Sequence, residues 1–253
     1  MKKIYIIPNE KSCNASCPFC IFKYKKDDYF NSEILTSSVK NLKSFDPDEI
    51  IITGGGEPLL HSKINDIIKK CSNIAKKLTI ETNGILLKEL KPETLKRLSS
   101  ICLNRMHYKD DINSRITGVQ HNMQEILSLN VPLELSLVLY KEGVNDSREL
   151  NNYINWAKSI NVKKIIVKQM IKFDYPDFVK NQYVNGEEIF KITNSEQIIS
   201  EVNVEFDFRN YLEEIKDPIL RSDGNFYIGW SKNLYKSDKK DDKIEEGKEN
   251  GTD

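Results

Sequence analysis

The sequence lacks long apolar runs and any excess of charge of one sign. No window of its 253 residues approaches the roughly 18–20 consecutive apolar residues of a membrane span. The apolar run before Pro8 is too short for the core of a signal peptide. The 38 basic and 38 acidic residues cancel, so no net field attracts nucleic acid or a membrane surface. We therefore expect a cytoplasmic protein that binds neither nucleic acid nor a membrane.

Cysteine is scarce, and its distribution is uneven. Of the five cysteines, Cys13, Cys17 and Cys20 fall close together, whereas Cys71 and Cys102 stand alone. A disulfide framework normally uses an even and dispersed set in a secreted chain, so both the count and the spacing argue against one. The three clustered cysteines indicate metal ligation instead. The two isolated ones lie in apolar segments and are interpreted as small buried hydrophobic residues.

Apolar periodicity predicts alternating strands and helices. With 39% hydrophobic and 30% charged residues, the chain suits one globular domain. Six strands are predicted, at Lys3–Ile7, Glu49–Thr53, Lys77–Thr82, Ser100–Asn104, Leu133–Leu139 and Lys163–Val167. Helices are predicted between them, at Ser32–Phe45, Ile64–Cys71, Pro92–Leu98, Asp111–Leu129 and Asn145–Ile160. The predicted fold class is therefore α/β, a partial (β/α)6 TIM-like barrel.

The alternation stops after the sixth predicted strand. A further strand is predicted at Val202–Phe208, and Ile219–Trp230 predicts a β-hairpin about its Asp-Gly pair. We expect these segments to form a short C-terminal cap, so that residues 1–235 make one core domain. The remaining residues, Lys236–Asp253, are almost wholly polar or charged and are expected to be a disordered tail.

The clustered cysteines follow the first predicted strand as Cys13-Asn-Ala-Ser-Cys17-Pro-Phe-Cys20. Three thiolates on one tight loop can hold three corners of a cubane iron–sulfur cluster, whose ligands are cysteine sulfurs. The fourth iron then lacks a protein ligand and is open to a small molecule, as the open position of a catalytic zinc is. A structural zinc site is the alternative, but it needs four ligands, and the 3 histidines are isolated in the sequence.

A glycine run follows the second predicted strand as Thr53-Gly-Gly-Gly-Glu57-Pro58. No Gly-Lys-Ser/Thr follows it, which argues against a nucleoside triphosphate loop. Glu57 beside Pro58 is also the pattern of a capped helix start. From these residues alone, the run is either a bland turn with a helix cap or part of a ligand site.

Together the two motifs resemble those of the radical S-adenosylmethionine (AdoMet) superfamily. That family carries CxxxCxxC after its first strand, usually with an aromatic residue before the last cysteine, as Phe19 is here. Its GGEP motif is similar to the run that ends in Glu57-Pro58, and a weaker match is Thr82-Asn83-Gly84 after the third predicted strand. These matches cover about the first third of the chain, and the strand and helix count extends the resemblance to about residue 170.

The resemblance implies one 4Fe–4S cluster bound by Cys13, Cys17 and Cys20, with AdoMet chelated at the fourth iron. One electron from the reduced cluster would split AdoMet and release a 5′-deoxyadenosyl radical. An electron donor such as flavodoxin or ferredoxin is then implied as a partner. Because no cysteine follows Cys102, a second cluster is not expected.

The resemblance also assigns residues to AdoMet. An aromatic side chain would lie near its adenine, a glycine-rich turn and a carboxylate would position its ammonium, and polar side chains on later strands would contact its ribose. In this sequence the cofactor-binding candidates are Phe19, Gly55, Gly56, Glu57, Asn83, Ser136 and Gln169.

The end of the fourth predicted strand supplies three catalytic candidates, Arg105, His107 and Tyr108. If the strand runs as predicted, these side chains face the mouth of the barrel. His107 then serves substrate binding or proton transfer near neutral pH, and Arg105 holds a carboxylate. A solvated loop is the alternative for this segment.

The function expected from the resemblance is hydrogen abstraction from a small-molecule or peptide substrate by the 5′-deoxyadenosyl radical. A glycyl-radical-enzyme activating protein is one alternative, although Ile21-Phe22-Lys23 after the last clustered cysteine departs from the pattern of those proteins. A non-catalytic iron–sulfur redox sensor is an alternative from another class. The glycine motif argues against it, because a sensor needs no site for the AdoMet amine.

Deleting Lys236–Asp253 is expected to leave the melting temperature unchanged, because a segment so poor in apolar residues has little surface to bury. Differential scanning calorimetry of the full-length and truncated proteins checks this expectation. A fall of more than about 4 °C would show that the tail packs against the core.

Overall fold

The computed structural model describes residues 2–24, 34–171, 173–195, 202–208 and 216–229. Three predicted features lie outside these residues: the charged tail at Lys236–Asp253, the start of the helix predicted from Ser32, and the end of the hairpin at Trp230. Across the described residues, no helix combines the length and the apolar character that crossing a membrane requires.

The sheet is built from strands β1 (Lys3–Ile6), β2 (Glu49–Ile52), β3 (Lys77–Thr82), β4 (Ser100–Asn104), β5 (Leu133–Val138), β6 (Lys164–Lys168), β7 (Asn203–Asp207), β8 (Pro218–Leu220) and β9 (Phe226–Ile228). In the described part of the chain they form one sheet in the order β7-β6-β5-β4-β3-β2-β1-β8-β9. Only the β8–β9 pair is antiparallel. The predicted α/β class and the six predicted strands are confirmed, each strand to within one residue at either end.

Helices connect these strands. Among the described residues they are α1 (Ile21–Tyr24), α2 (Ile34–Ser38), α3 (Ile64–Cys71), α4 (Pro92–Leu95), α5 (Asp110–Thr117), α6 (Met123–Ser128), α7 (Ser147–Ser159), α8 (Asp177–Lys180) and α9 (Gly186–Ser195). The helix predicted at Ile64–Cys71 is confirmed at both ends. The segment Val39–Phe45 continues α2 as a 3-10 helix, so the predicted helix there changes its geometry part-way along.

The parallel strands have one apolar and one more polar face. In β2, Ile50 and Ile52 are fully buried in the main hydrophobic core, whereas Glu49 and Ile51 line the opposite face. Successive side chains of a strand point to opposite faces, which explains the alternation. The apolar face packs against helices such as α3, whose Ile67 is also fully buried. The core therefore lies between the sheet and the helices, outside the inner face.

The sheet curls with its polar face inward. Lys77 Nζ on β3 lies 3.8 Å from Glu134 Oε1 on β5, with β4 between them. Lys168 Nζ on β6 lies 3.8 Å from Glu81 Oε1 on β3, with two strands between them. Adjacent strands are about 4.8 Å apart, so these contacts require strong curvature. In the described residues the sheet still ends at β7 and β9, and the barrel is open.

The helix predicted at Asp111–Leu129 is wrong in one respect, because the structure has the two helices α5 and α6 there. Gly118 ends α5 with a φ of 73°, a left-handed conformation that glycine adopts without strain. The helix predicted from Pro92 begins there but ends at Leu95 instead of Leu98. Both differences arise at helix ends, where sequence periodicity carries little information.

The C-terminal strands extend the sheet. The predicted strand at Val202–Phe208 is confirmed as β7, which pairs in parallel with β6. The predicted hairpin is confirmed as β8 and β9, joined by a turn in which Gly224 has a φ of 81°. Because β8 pairs in parallel with β1, the hairpin lies in the sheet beside the first strand.

Replacing Asp146 with alanine is expected to lower the free energy of unfolding by about 1 kcal/mol. The Asp146 carboxylate caps α7 by accepting a hydrogen bond of 2.7 Å from the Glu149 backbone nitrogen. Urea denaturation measures the change, and Asp146→Asn, which keeps an accepting oxygen, is the matched control. Equal stability of Asp146→Ala and the unchanged protein would contradict the role of this cap.

Candidate active site

The inner face of the curled sheet lines a cavity of about 300 Å³. The loops that follow β1 and β2 form part of its wall, at the carboxyl ends of the strands, where barrel enzymes place their active sites. The predicted cluster and cofactor residues that line it are Cys13, Cys17, Phe19, Cys20, Gly55, Gly56, Glu57, Asn83, Ser136 and Gln169. Residues from five separate segments of the chain therefore share one wall.

Hydrogen bonds join the cysteine loop to the glycine loop. The Gly56 nitrogen donates to the Asn9 carbonyl at 3.0 Å, and the Glu57 nitrogen donates to the Ser12 carbonyl at 2.9 Å. The Asn9 side-chain amide also donates, to the carbonyls of Ser12 at 2.9 Å and Glu57 at 3.1 Å. The two loops are thereby held at one separation and in one register.

The glycines of this motif permit the close contact between the loops. A Cβ on Gly55 would collide with the Glu10 carbonyl oxygen and the Phe22 ring. A Cβ on Gly56 would collide with the Ser12 carbonyl oxygen. Glycine is required at both positions because backbone approaches backbone without room for a side chain. The resemblance assigns these glycines to the positioning of the AdoMet ammonium, and contact between the loops gives an independent reason for them.

The three clustered cysteines have free thiols. Cys13 is exposed, while Cys17 and Cys20 are partly buried. Burial, together with the neighbouring thiols Cys20 and Cys13, raises the pKa of the Cys17 thiol to about 12. Burial likewise raises the pKa of Cys20. A bound metal centre reverses this preference, because a coordinating thiol is deprotonated outright.

The donor set fits an iron–sulfur cluster, to which cysteine thiolates are the usual ligands. Among the described residues, no three histidine, cysteine, aspartate or glutamate side chains are placed to hold one metal ion. A cubane cluster does not need that convergence, because each thiolate binds a different iron. Cys13, Cys17 and Cys20 lie on a single loop and face a single cavity, which is the arrangement that three corners of a cluster require.

Glu57 is a buried carboxylate in the cavity wall, with only 2% of its surface exposed. Its Oε1 accepts hydrogen bonds from Thr82 Oγ1 at 2.6 Å and the Leu59 nitrogen at 3.1 Å. Its Oε2 accepts from the Asn83 nitrogen at 2.8 Å. Burial raises the pKa of Glu57, and these three hydrogen bonds oppose the rise. The carboxylate therefore caps the following turn, as the sequence allowed, and also ties that turn to the end of β3.

Asn83 connects the end of β3 to the cysteine loop. Its side-chain amide donates to Asn14 Oδ1 at 2.7 Å and lies 3.8 Å from Cys13 Sγ. The backbone carbonyl of Asn83 accepts a hydrogen bond from His121 Nε2 at 2.7 Å. On the other side of the ring, His121 Nδ1 lies 3.1 Å from the Arg105 guanidinium. His121 and Arg105 therefore support Asn83, which contacts the cysteine loop.

The end of α5 supports the same loop from another side. The Ser16 nitrogen and hydroxyl both donate to the Thr117 carbonyl, at 2.7 and 3.2 Å. Gly118 follows directly, and a Cβ there would collide with Ser16 Oγ. The positive φ of Gly118 and its missing side chain both serve this contact.

Three candidates line the cavity further from the cysteine loop. The Phe19 ring centroid lies 5.5 Å from that of Tyr140, so the two rings pack together. Ser136 has 2% of its surface exposed, and in the described part of the chain its hydroxyl has no hydrogen-bond partner. Gln169 Oε1 accepts from the Gly186 nitrogen at 2.8 Å, so the side chain also supports the start of α9.

The amino ends of the strands carry a chain of ion pairs, which we call the lower layer. Its members are Lys3, Glu49, Lys77, Glu134, Lys164 and Glu205. Each neighbouring pair along this series is in contact, with distances from 2.8 Å for Lys77–Glu49 to 3.8 Å for Lys77–Glu134. Three lysines and three glutamates balance, so the layer is neutral overall.

Closer to the carboxyl ends lie Glu81, Lys168 and Asp207, which we call the upper layer. Lys168 Nζ is 3.8 Å from Glu81 Oε1, and Lys168 is the register partner of Asp207. Glu81 Oε2 accepts from Thr53 Oγ1 at 2.8 Å. Sequence reasoning missed these residues and the lower layer. A partial signal was present, because polar residues occupy alternate positions of β3 (Lys77, Thr79 and Glu81) and two alternate positions of β5 (Glu134 and Ser136).

Comparison with known proteins assigns the family. The sequence model of the Radical SAM superfamily matches residues 11–128, which include the cysteine and glycine motifs. Residues 11–128 are a radical SAM domain. The GTP 3′,8-cyclase of Clostridium acetobutylicum is 33% identical over 175 residues, which are 62% of this chain and 53% of that protein. The GTP 3′,8-cyclase of Clostridium perfringens is 31% identical over 162 residues, 57% of this chain and 48% of the relative. The chain thus spans about half the length of these radical SAM relatives.

Solved structures share the radical SAM fold with this chain. SuiB of Streptococcus suis bound to S-adenosylmethionine aligns with a TM-score of 0.66 at 15% identity, over 88% of this chain and 59% of that one. Native anSMEcpe with bound AdoMet and Cp18Cys peptide aligns with a TM-score of 0.62 at 16% identity, over 89% and 73% of the two chains. Radical SAM proteins use a 4Fe–4S cluster and AdoMet. The cysteine donor set described above fits that cluster.

The structure does not bring the three catalytic candidates to the cavity. Among the described residues, Asn104 and Met106 line the wall, whereas Arg105, His107 and Tyr108 do not. The expectation that these three face the barrel mouth is therefore wrong. Asn104 and Met106 point into the cavity, so the alternating positions of Arg105 and His107 point away from it. Tyr108 stacks on His107 and lies outside the cavity with it.

These side chains instead hold the loop that follows β4. Arg105 and His107 are both 1% exposed. The Arg105 guanidinium donates to the Tyr108 carbonyl at 3.0 Å and to the Asp110 carboxylate. His107 Nδ1 accepts from the Lys109 nitrogen at 3.0 Å. The Tyr108 ring stacks on His107 with centroids 4.4 Å apart. Burial lowers the pKa of His107, and Glu149 beside it partly opposes that shift.

Replacing His107 with glutamine is expected to lower the free energy of unfolding by about 1–2 kcal/mol, because a buried hydrogen-bonded ring is lost. The rate of AdoMet cleavage below the melting temperature is expected to change less than about twofold. Thermal unfolding and a 5′-deoxyadenosine assay on the same preparation measure the two effects. A hundredfold loss of cleavage with intact stability would restore the catalytic assignment.

Proposed function

We propose that this chain is a radical SAM enzyme that reductively cleaves AdoMet and abstracts hydrogen from a small-molecule or peptide substrate. The observation that carries the proposal is the shared cavity wall of the three clustered thiols and the buried carboxylate of Glu57. A 4Fe–4S cluster bound there supplies the electron that splits AdoMet into methionine and a 5′-deoxyadenosyl radical. The protein's part is to bind, orient and enclose the reactants.

Binding of the cluster falls to Cys13, Cys17 and Cys20. Three thiolates from one loop leave one iron without a protein ligand, and AdoMet takes that position in the proposal. Asn83 and Ser16 hold this loop from two sides, through Asn14 and Thr117. Because both supports come from elements of the barrel, the loop is positioned before any cofactor binds.

Orientation of AdoMet falls to Glu57 and the backbone beside it. Its carboxylate is fixed by three hydrogen bonds, so it loses little freedom when it binds an ammonium group. An ionised carboxylate makes a strong charge-assisted hydrogen bond to an amine. Phe19 and Ser136 are proposed for the adenine and the ribose, since an apolar ring and an unpartnered hydroxyl suit those groups.

Enclosure of the reactive radical falls to the barrel. The lower layer fills the amino end of the inner face with paired charges, and the cofactor loops lie across the carboxyl end. A substrate that enters this cavity is separated from bulk water, which limits side reactions of a radical. A flavodoxin or ferredoxin is proposed as the electron donor. A redox sensor has no need of a carboxylate held as rigidly as that of Glu57.

GTP comes into consideration as a substrate because relatives carry the name GTP 3′,8-cyclase. The match covers about half of those proteins, and identity in the matched region is 33% or less in these two cases. The inner face of the described residues offers three lysines as cavity lining, two of them in the neutral lower layer. We therefore do not extend the proposal to GTP.

Anaerobic reconstitution followed by dithionite reduction with AdoMet is expected to yield 5′-deoxyadenosine from the unchanged protein. Cys17→Ala is expected to lose the cluster and to reduce product below about 1% of that amount, because two thiolates cannot hold the cubane. Chromatography measures the product, and iron analysis with electron paramagnetic resonance measures the cluster.

Cys71→Ala is the matched control for this experiment. Cys71 is fully buried on α3 in the main core, far in sequence from the cysteine loop. Its replacement is expected to cost about 1 kcal/mol of stability and to leave iron content and product unchanged. Loss of iron from Cys71→Ala, or full product from Cys17→Ala, would refute the assignment of the three ligands.

A further inference from the structure

The loop that follows β1 and carries the cysteines has a neighbour on either side. In the sheet β1 pairs in parallel with β2 on one side and with β8 on the other. The pairing extends past the strand ends, where the Thr53 nitrogen donates to the Ile6 carbonyl and the Ile7 nitrogen donates to the Leu220 carbonyl, each at 2.9 Å. Loops that follow parallel strands meet at one edge of a barrel. The segments after β2 and after β8 therefore flank the cysteine loop.

On the β8 side the contact is made by a buried carboxylate, that of Glu10. This residue lies three positions before Cys13 and is 8% exposed. Its Oε1 accepts a hydrogen bond of 3.3 Å from the hydroxyl of Ser222, which is 1% exposed and lies in the turn after β8. Glu10 does not line the cavity. The carboxylate thus faces the turn and is not placed to touch a ligand.

The turn after β8 also compensates the charge of this carboxylate. Burial raises the pKa of Glu10, whereas the positive charge of Arg221 and the hydrogen bonds from Ser222 oppose the rise. The Arg221 guanidinium lies over the Tyr227 ring, 4.4 Å from its centroid, and the Tyr227 hydroxyl donates to Asp223 Oδ2 at 2.6 Å. A buried carboxylate is stable only when such partners replace water. The turn offers them on side chains that are themselves held in place.

The backbone of Glu10 lies against the glycine loop. Its carbonyl oxygen occupies the space that a Cβ on Gly55 would need. The carbonyls of its neighbours Asn9 and Ser12 accept hydrogen bonds from backbone nitrogens of the glycine loop. Glu10 therefore contacts the glycine loop through its backbone and the turn after β8 through its side chain.

We propose that Glu10 is a positioning residue, which ties the cysteine loop to the turn after β8 through Ser222 and Arg221. This inference rests on the proposed function, because the cysteine loop and Glu57 are the proposed sites for the cluster and for AdoMet. Glu10 and the turn both lie outside residues 11–128, so the radical SAM domain match does not include this contact.

Hydrogen–deuterium exchange of the full chain before reconstitution, followed residue by residue by NMR, tests the contact without turnover. The backbone nitrogens of Ser12, Gly56 and Glu57 are the reporters, because their hydrogen bonds hold the two loops together. Glu10→Ala is expected to speed exchange at these nitrogens by about tenfold, since a hydrogen bond to a charged group is lost. Glu10→Gln keeps an oxygen that accepts from Ser222 and is expected to stay within about threefold of the unchanged protein.

Asp146→Ala is the matched control, because it removes a helix cap of α7 and leaves the loops untouched. Exchange at the three reporters is expected to change less than about twofold in this variant. Ser222→Ala removes the other side of the contact and is expected to speed the same nitrogens. Equal exchange in Glu10→Ala, Ser222→Ala and the unchanged protein would overturn the proposal. Equal acceleration in Asp146→Ala and Glu10→Ala would overturn it as well, because the effect would then be one of overall stability.

Reconstituted preparations of the same variants connect the contact to AdoMet. Glu10→Ala is expected to raise the KM for AdoMet about fivefold and to change kcat less than about twofold, because the loop beside Glu57 is held less firmly. An unchanged KM would overturn the positioning role. Absence of 5′-deoxyadenosine from the unchanged protein would refute only the proposed function, since hydrogen exchange still decides the contact. Normal AdoMet cleavage with unaltered exchange in Glu10→Ala would refute only this inference.

Discussion

The backbone contact between the loops that follow β1 and β2 is the constraint on which the rest of the site depends. Gly55 and Gly56 lie against the carbonyl oxygens of Glu10 and Ser12, and hydrogen bonds cross between the loops beside them. Any side chain at either glycine would push the loops apart. Because the loops are locked together, the cysteines and Glu57 keep a fixed relation without touching each other. One close approach thus couples the proposed cluster ligands to the proposed AdoMet carboxylate.

Side chains from other parts of the barrel support this contact. Glu57 is held by Thr82 and Asn83 at the end of β3, and Asn83 in turn contacts Asn14 in the cysteine loop. Behind Asn83, His121 and Arg105 extend the network towards the loop after β4. Residues first considered catalytic therefore act in the support of the site. Their burial and their hydrogen bonds explain why an arginine and a histidine occur at the end of an apolar strand.

The apolar core that stabilises the fold and the polar inner face that lines the cavity lie on opposite sides of the sheet. Barrels of this kind are usually filled by branched apolar side chains. Here the apolar core lies outside the sheet, between strands and helices, and the inner face carries paired charges around a cavity of about 300 Å³. Ion pairs in the lower layer partner its most buried carboxylates, Glu49 and Glu134, with lysines.

The sequence by itself determined the local features: the cysteine and glycine motifs, the positions of the strands, the start of α4 at Pro92 and the turn at Gly224. Each of these depends on residues close in the chain, which periodicity and turn chemistry report directly. The direction of Arg105 and His107 was misjudged because a shift of one residue reverses the face of an extended chain. Only the tertiary structure brought Lys168 to Glu81 across two intervening strands. That contact depends on the curvature of the whole sheet. The curvature arises from the packing of all strands and helices together, so no single segment of the sequence predicts it.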